Sequence, residues 1–368
     1  MRRMVVMVCY SPHSKLEDFK KKIIDSLCGY AHSLIIVLNS KVTKEDQMWL
    51  DSVCSQVIFR ENIGYDAGAY KDVLEKEKLD EYDELLLLND TFYGFFFSLS
   101  QFFNKIQQIE DVDFWGLTRH PNGFCEDGHS IEPHIQAYFL LIRKRMLHSE
   151  EFASFWEELE YPLSYGEAIK NFEVSFTTFF QARGFKGAAY CDLQMLGIKD
   201  EYNINPYIAY PDRLIAELKC PVLKRKSCFC ENIGAWKAVD YLAKNKLYDV
   251  RLIFQQVFEE YENGSMTSYF NLFRMEGFLK KYQTLYIYGK GKYATAIYEY
   301  LNVRKISVRK FIVSEKGDVA DESVIELSEL EKNDTIGIIV AMKPRFTQEV
   351  LGALLEKVSP EQLFLGEA

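Results

Sequence analysis

Leu85 to Leu88 is an uninterrupted run of four leucines that ends in Asn89-Asp90. A short apolar run of this kind reads as a strand covered on both faces, the centre of a parallel sheet. The flanking pattern agrees with that placement. Met4–Tyr10, Leu34–Leu38 and Val57–Phe59 read as strands. Lys44–Val53 reads as a helix, and Lys15–Cys28 carries Leu16, Phe19, Ile23, Ile24 and Leu27 at helical spacing. Alternation of strand and helix predicts an α/β domain with a mostly parallel sheet and helices on both faces. Ligands of such sheets collect beyond the carboxyl ends of the strands.

Past Asp111 the pattern is less regular. Phe114–Leu117 and Tyr138–Ile142 read as strands on either side of a polar loop, Arg119–Pro133, and helical spacing returns at Glu150–Leu159 and Phe172–Ala182. Asn203–Pro221 reads as loop, because Pro206, Pro211 and Pro221 interrupt any helix there. The first domain is therefore expected to span residues 1–230. Residues 231–282 form a helical linker, in which the apolar stripe of Trp236–Tyr261 predicts one amphipathic helix packed between domains. Residues 283–368 form a small Rossmann-like module, with strands at Leu285–Tyr288, Phe311–Val313 and Ile336–Ala341.

Composition narrows the partners. The chain has 368 residues, 48% of them hydrophobic, which suffices for two packed cores and excludes disorder. Asp and Glu number 54 against 44 Lys and Arg, for a net charge of −10, so nucleic acid is not the expected partner. Lys224-Arg225-Lys226 is a local basic cluster that suits either an anionic surface or plain solvation. The eight cysteines (Cys9, Cys28, Cys54, Cys125, Cys191, Cys220, Cys228 and Cys230) show no CxxC pair. Reduced thiols and a cytoplasmic location are the expectation. The apolar part of Met1–Tyr10 is too short for a signal-peptide core, and no window approaches about 18 apolar residues, so no membrane span is expected.

Three segments fall where such a sheet would bind a nucleotide. Tyr10 and Ser11 follow the first strand, where they could stack on a base and bond its edge, or form an ordinary turn. Asn62-Ile-Gly64-Tyr-Asp66-Ala-Gly68 follows the third strand; its glycines permit close backbone approach and a helix start suits phosphate, with Asp66 as the expected N-cap. Asn89 and Asp90 close the four-leucine strand. A carboxylate there needs a cation or hydrogen bonds, which a magnesium or manganese ion bridging to a diphosphate would supply, or Asp90 forms an Asx turn. The Arg119–His134 loop carries His120, Cys125, Glu126, Asp127, His129, Glu132 and His134 without the i, i+4 spacing of a helical metal set. It reads as an acceptor-binding rim of His120, His134 and nearby Gln136, not as a zinc site. Glu173 is expected at a helix start, where the dipole favours a carboxylate whatever its role.

In order, Asn62-Ile-Gly-Tyr-Asp66 with Gly68 and Tyr70, Leu-Leu-Leu-Leu-Asn89-Asp90-Thr-Phe-Tyr93-Gly94, Asp113-Phe-Trp-Gly-Leu-Thr118, His134-Ile-Gln-Ala-Tyr-Phe139, Phe155-Trp156 and Glu173 resemble the rhamnan synthesis protein F family of bacterial glycosyltransferases. The resemblance covers residues 1–230 and implies a GT-A type fold. It implies transfer of a sugar from a nucleotide donor, dTDP-rhamnose or another nucleoside-diphosphate sugar, to a cell-surface polysaccharide or lipid-linked glycan. The site would be cytoplasmic, at the inner face of the cell membrane. It further implies that Tyr10 and Ser11 touch the base, and that Asn62, Gly64 and Asp66 meet the nucleoside or diphosphate. Asn89 and Asp90 occupy the position of a DxD metal motif, with Asp90 the one acid there, and Glu173 is the general base of an inverting transfer.

Gly289-x-Gly291-x-x-Ala294, after a strand and opening a helix, fits the Ala-ended dinucleotide fingerprint, with Glu315 as the candidate ribose-binding acid. The same turn occurs as a plain strand–helix connection. A nicotinamide-dependent sugar-modifying oxidoreductase is therefore the alternative to the transferase, and a non-catalytic binding protein the third reading. The module of about 85 residues has no second half to close over a nicotinamide, which favours the transferase.

Overall fold

The computed structural model describes residues 1–124, 130–199, 202–229, 234–262, 272–303, 305–315, 321–342 and 344–365. The chain divides into two compact units, Met1–Ser227 with Tyr241–Ile253, and Cys228–Asp240 with Phe254–Ala368.

In the first unit the strand–helix alternation of the sequence is realised in order: β1 (Arg3–Cys9), α1 (Asp18–Cys28), β2 (Ser33–Leu38), α2 (Lys44–Val53), β3 (Gln56–Phe59), α3 (Tyr65–Leu74) and β4 (Glu84–Asn89). Then follow β5 (Phe92–Gly94), α4 (Leu99–Gln107), β6 (Phe114–His120), the short β7 (Gly123–Phe124), β8 (Ser130–Ile131) and β9 (His134–Ile135), and β10 (Phe139–Arg143). Helices α5 (Lys144–Leu147), α6 (Glu150–Glu158), α7 (Tyr165–Glu167) and α8 (Ser175–Ala182), strand β11 (Gly187–Cys191), helices α9 (Pro206–Ala209) and α10 (Pro211–Ala216), and β12 (Val222–Lys224) complete it.

The main sheet runs β11-β6-β10-β4-β1-β2-β3. β1 pairs in parallel with β2 and β4, β2 with β3, and β6 with β11; β10 runs against its neighbours β4 and β6, and the two-residue β9 also pairs antiparallel with β6. Leu85 to Leu88 are all fully buried, as a strand between two others and beneath helices must be. The sheet is thus mostly parallel, with β10 and the short β9 reversed. The carboxyl ends of β1 and β4 open side by side, because Val8 stands opposite Asn89.

Three local expectations fail for identifiable reasons. Asp66 is not an N-cap: Gly64, at φ +73°, caps α3, and Asp66 sits inside its first turn. Glu173 is not at a helix start. α7 passes without a break through a π-helical stretch, Ala168–Val174, into α8, so Glu173 lies mid-helix where no terminal dipole acts on it. The loop expected over Asn203–Pro221 contains two short helices, since Pro206 and Pro211 each occupy a first helical turn, where proline fits.

The second unit contains α11 (Gly234–Lys244), α12 (Arg251–Glu262) and α13 (Leu272–Lys281), with part of α11 and α12 counted in the first unit. The single helix expected over Trp236–Tyr261 is broken, with Lys246 at φ +53° between α11 and α12. A five-stranded sheet follows, made of β13 (Thr284–Tyr288), β14 (Val308–Val313), β15 (Val324–Glu326), β16 (Ile336–Val340) and β17 (Leu363–Leu365), with α14 (Lys292–Val303) and α15 (Pro344–Leu355). Its order β15-β14-β13-β16-β17, parallel throughout, is a Rossmann-like arrangement that reverses direction at β13. Gly289 follows β13 at φ +102°, and a Cβ there would lie 3.1 Å from the Ala341 carbonyl oxygen; Ala294 is fully buried. Gly291 has open space where a side chain would go, so only one of the two motif glycines is required by the backbone.

Candidate active site

A cleft of about 360 Å³ lies at the carboxyl ends of β1 and β4. Its walls include Tyr10, Asn39, Asn62, Tyr65, Asp66, Asn89, Asp90, Gln136, Glu173, Tyr207 and Lys224, so seven of the residues singled out as site candidates from the sequence share one cavity.

β4 delivers Asn89 and Asp90 to the floor. Asn89 Nδ2 donates to Asp66 Oδ2 at 2.8 Å, and the other Asp66 oxygen accepts from the Ala67 amide at 3.0 Å. Burial pushes the Asp66 carboxyl above its ordinary range, and nearby Glu173 adds to that. Asp90 Oδ2 accepts from the Tyr10 amide at 2.9 Å and pairs with Lys20 Nζ at 2.8 Å. Lys20 is itself fully buried, and also reaches Glu17 at 2.8 Å, the Tyr10 carbonyl at 2.6 Å and the Ser11 hydroxyl at 3.0 Å. The compensating charge at Asp90 is therefore supplied from within the chain, by α1. Ser11, expected at the base, lies off the cleft wall. Its buried hydroxyl donates to Glu17 Oε2 at 2.6 Å and does not line the cleft, whereas Tyr10 is half exposed on the wall.

Gly64 stands behind the wall. Its left-handed φ and the 3.1 Å between a Cβ there and the Tyr161 ring explain the glycine structurally. Asn62 faces the cleft and accepts from Asn39 Nδ2 at 3.1 Å.

Opposite the floor, the π-helical stretch presents Glu173. Its Oε2 accepts from the Ala137 amide at 2.9 Å and its Oε1 meets His134 Nε2 at 3.1 Å. Burial raises this carboxyl, but the His134 contact, the Ala137 amide and the Lys224 charge outweigh it and hold Glu173 below the usual carboxylate range. His134 Nδ1 lies 2.8 Å from the Glu132 carbonyl oxygen, so both ring nitrogens face oxygen atoms. His120 stacks on His134, with ring centres 5.3 Å apart and planes 7° apart, and burial lowers its pKa. His134 and Gln136 are buried, and Gln136 accepts from Thr118 Oγ1 at 2.7 Å. Of the residues expected on an acceptor-binding rim, Gln136 lines the cleft, while His134 contacts Glu173 and His120 stacks on His134. Cys125, Glu126, Asp127 and His129 of the same loop lie outside the described residues.

Lys224, read from the sequence only as part of the basic Lys224-Arg225-Lys226 cluster, lines the cleft. β12 pairs antiparallel with β5, setting Lys224 opposite Phe92. Its Nζ donates to Thr91 Oγ1 and lies 4.1 Å from the ring centre of Tyr138 and 5.4 Å from that of Tyr207. Burial pushes its pKa down to about 7, against the pull of Glu173, Asp66 and Asp90. The local basic run does not show this placement, since its partner Thr91 is 133 residues away. Lys20 did carry a signal: it stands four residues from both Leu16 and Ile24, on the apolar stripe of α1.

The expected magnesium or manganese site does not fit this donor set. Asp90 Oδ2 is committed to Lys20 and Tyr10, and both Asp66 oxygens already accept hydrogen bonds. Among the described residues no group of three or more His, Cys, Asp or Glu side chains could hold a metal ion.

The sheet order, the reversed β10 and the polar cleft at the ends of β1 and β4 define a GT-A-like α/β domain. The chain belongs to the rhamnan synthesis protein F family, whose model matches residues 34–301. The chain is 26% identical over 187 residues to the uncharacterized protein y4gN of Sinorhizobium fredii, covering 50% of this chain and 46% of that one. It spans about half the length of the curated relatives it matches. Among solved structures, a putative nucleotide-diphospho-sugar transferase from Desulfovibrio desulfuricans is similar with a TM-score of 0.30 and 10% identity, covering 58% of this chain and 86% of that one. Glucosyl-3-phosphoglycerate synthase from Mycobacterium tuberculosis, in complex with Mn2+ and UDP, is similar with a TM-score of 0.23 and 14% identity, covering 32% and 43%. The family match carries the assignment. Among the described residues no helix is long and apolar enough to cross a membrane.

Proposed function

We propose that the first unit transfers a sugar from a nucleoside-diphosphate donor to a hydroxyl of a polysaccharide or lipid-linked glycan, with inversion at the anomeric carbon. dTDP-rhamnose is the first donor to test. The observation that carries this reading is Glu173, a half-buried carboxylate fixed by His134 and the Ala137 amide on the same cleft as the Asn89-Asp90 end of β4, with those contacts holding its pKa below the usual range. In the transfer the acceptor oxygen attacks the anomeric carbon, its proton passes to Glu173, and the bond to the diphosphate oxygen breaks with its electron pair leaving on the nucleotide. The low pKa keeps the base form filled at neutral pH. His134 and the Ala137 amide fix the carboxylate in one orientation, which preserves its aim.

On the donor side, half-exposed Tyr10 offers a face for the base, and Asn62 and Asn89 offer hydrogen bonds to sugar or phosphate oxygens. Asp66, through Asn89, sets the orientation of that amide. The test is a thermal-shift screen against dTDP-, UDP- and GDP-sugars, followed by nucleotide release from whichever stabilises the protein. A raised melting temperature with one donor and its turnover in the presence of a glycan acceptor support the reading. The absence of both across the three nucleotide series contradicts it.

A further inference from the structure

The charges around the cleft do not all have partners of equal kind. Asp90 is matched by Lys20, and Glu173 meets His134. Lys224 is the sole lysine or arginine on the cleft wall among the described residues, and its hydrogen-bond partner there is a neutral hydroxyl, Thr91 Oγ1. Holding an ammonium among Tyr138, Tyr207 and Thr91 is costly, and a hydroxyl with two aromatic faces offsets only part of that cost. An arriving anion would supply the rest.

Resting on the transferase reading above, we propose that the Lys224 ammonium, in place of a divalent cation on Asp90, binds the donor's diphosphate and takes up its charge as the sugar departs. β12 places Nζ beside Thr91, the residue that follows Asn89-Asp90, so the cation sits at the carboxyl end of β4 where a diphosphate would lie. A lysine ammonium binds phosphate as a compact point charge and needs no planar partner. The groups that face it are Asp66 from α3, Asp90 and Thr91 from the end of β4, Tyr138 before β10, Glu173 from the π-helical stretch, Tyr207 from α9 and its neighbour Arg225. With burial holding Lys224 at about 7, a diphosphate should draw a proton onto it.

The test is calorimetric titration of the full chain with dTDP and UDP, with thymidine and uridine as the arm without phosphate. Titrations run in buffers of different ionisation enthalpy, with EDTA or with manganese. Lys224→Met and Lys224→Gln are compared with wild type after their melting curves show folded protein. The expected result is diphosphate affinity that EDTA changes by less than about twofold. Binding at pH 8 should take up close to one proton. Both variants should bind diphosphate at least tenfold more weakly while nucleoside binding is unchanged, and nucleotide release from the active donor should fall about 10²- to 10³-fold, as for loss of one charge-stabilising donor. Diphosphate binding that vanishes in EDTA and returns with manganese, wild type that takes up no proton, or variants that bind as wild type would each overturn the inference. Wild type that binds diphosphate through Lys224 but turns over no sugar donor would remove the transferase reading and leave this one standing. Wild type that binds neither diphosphate would remove both.

Discussion

Lys20 and Asp90 form a 2.8 Å ion pair under the floor of the cleft, with the lysine fully buried and the aspartate nearly so. The pair joins α1 to the end of β4 across the Tyr10 turn, and it explains how a carboxylate persists at the end of the most apolar strand. Burial lowers the Lys20 pKa, but Asp90 and Glu17 outweigh it and the net shift is upward. Its contribution to stability is therefore complete below the unfolded lysine value and is lost only as pH rises through the higher folded one.

Removing one partner of this pair should cost more than removing both. Lys20→Met leaves Asp90 buried without its cation, an error worth about 3–5 kcal/mol in similar cases. Lys20→Met with Asp90→Asn should recover a substantial part of that loss. Urea unfolding of the two single variants and the double variant checks this, and additive losses would contradict the coupling.

The two glycines of the Gly289 turn should behave differently. Gly289→Ala forces a side chain onto a left-handed backbone and toward the Ala341 carbonyl, so a loss of about 1–3 kcal/mol is expected. Gly291→Ala meets nothing within 4 Å and should melt within a degree or two of wild type. Thermal unfolding distinguishes them; equal losses would show that the fingerprint glycine is held by something other than the backbone.

His134 should control the acid side of the activity profile. In wild type Glu173 has a lowered pKa, so its stabilising contacts are present above its unfolded value near 4.5 and are lost as pH falls through the folded one. In His134→Ala burial of the carboxylate loses its main opponent and the Glu173 pKa rises. The acid limb of kcat/KM should then move to higher pH, and a limb that stays in place would show that Glu173 is not the group being titrated.

Periodicity made the sheet legible because each buried strand or amphipathic helix writes its environment into a local pattern. Leu85–Leu88 and the stripe of α1 are the clearest cases. The reversed direction of β10 was not legible, since Phe139–Ile142 reads the same in either orientation. At the site, Asn62, Asp66, Asn89, Asp90 and Glu173 were found because short motifs carry them, and the structure gathers them on one cleft. Their roles were less legible: whether Asp90 meets a metal or a lysine depends on Lys20, which was counted with neither core nor site. Lys224 depends on β12 pairing with β5, a long-range contact with no local pattern.

The central claim is that Glu173 accepts the acceptor's proton. The most direct measurement is nucleotide release from the preferred sugar donor by wild type and Glu173→Gln, with donor affinity measured in parallel. Glutamine keeps the shape and an oxygen for the Ala137 amide but cannot take the proton, so turnover should fall about 10²- to 10⁴-fold while donor binding stays within a few-fold. Turnover by Glu173→Gln close to wild type would contradict the account.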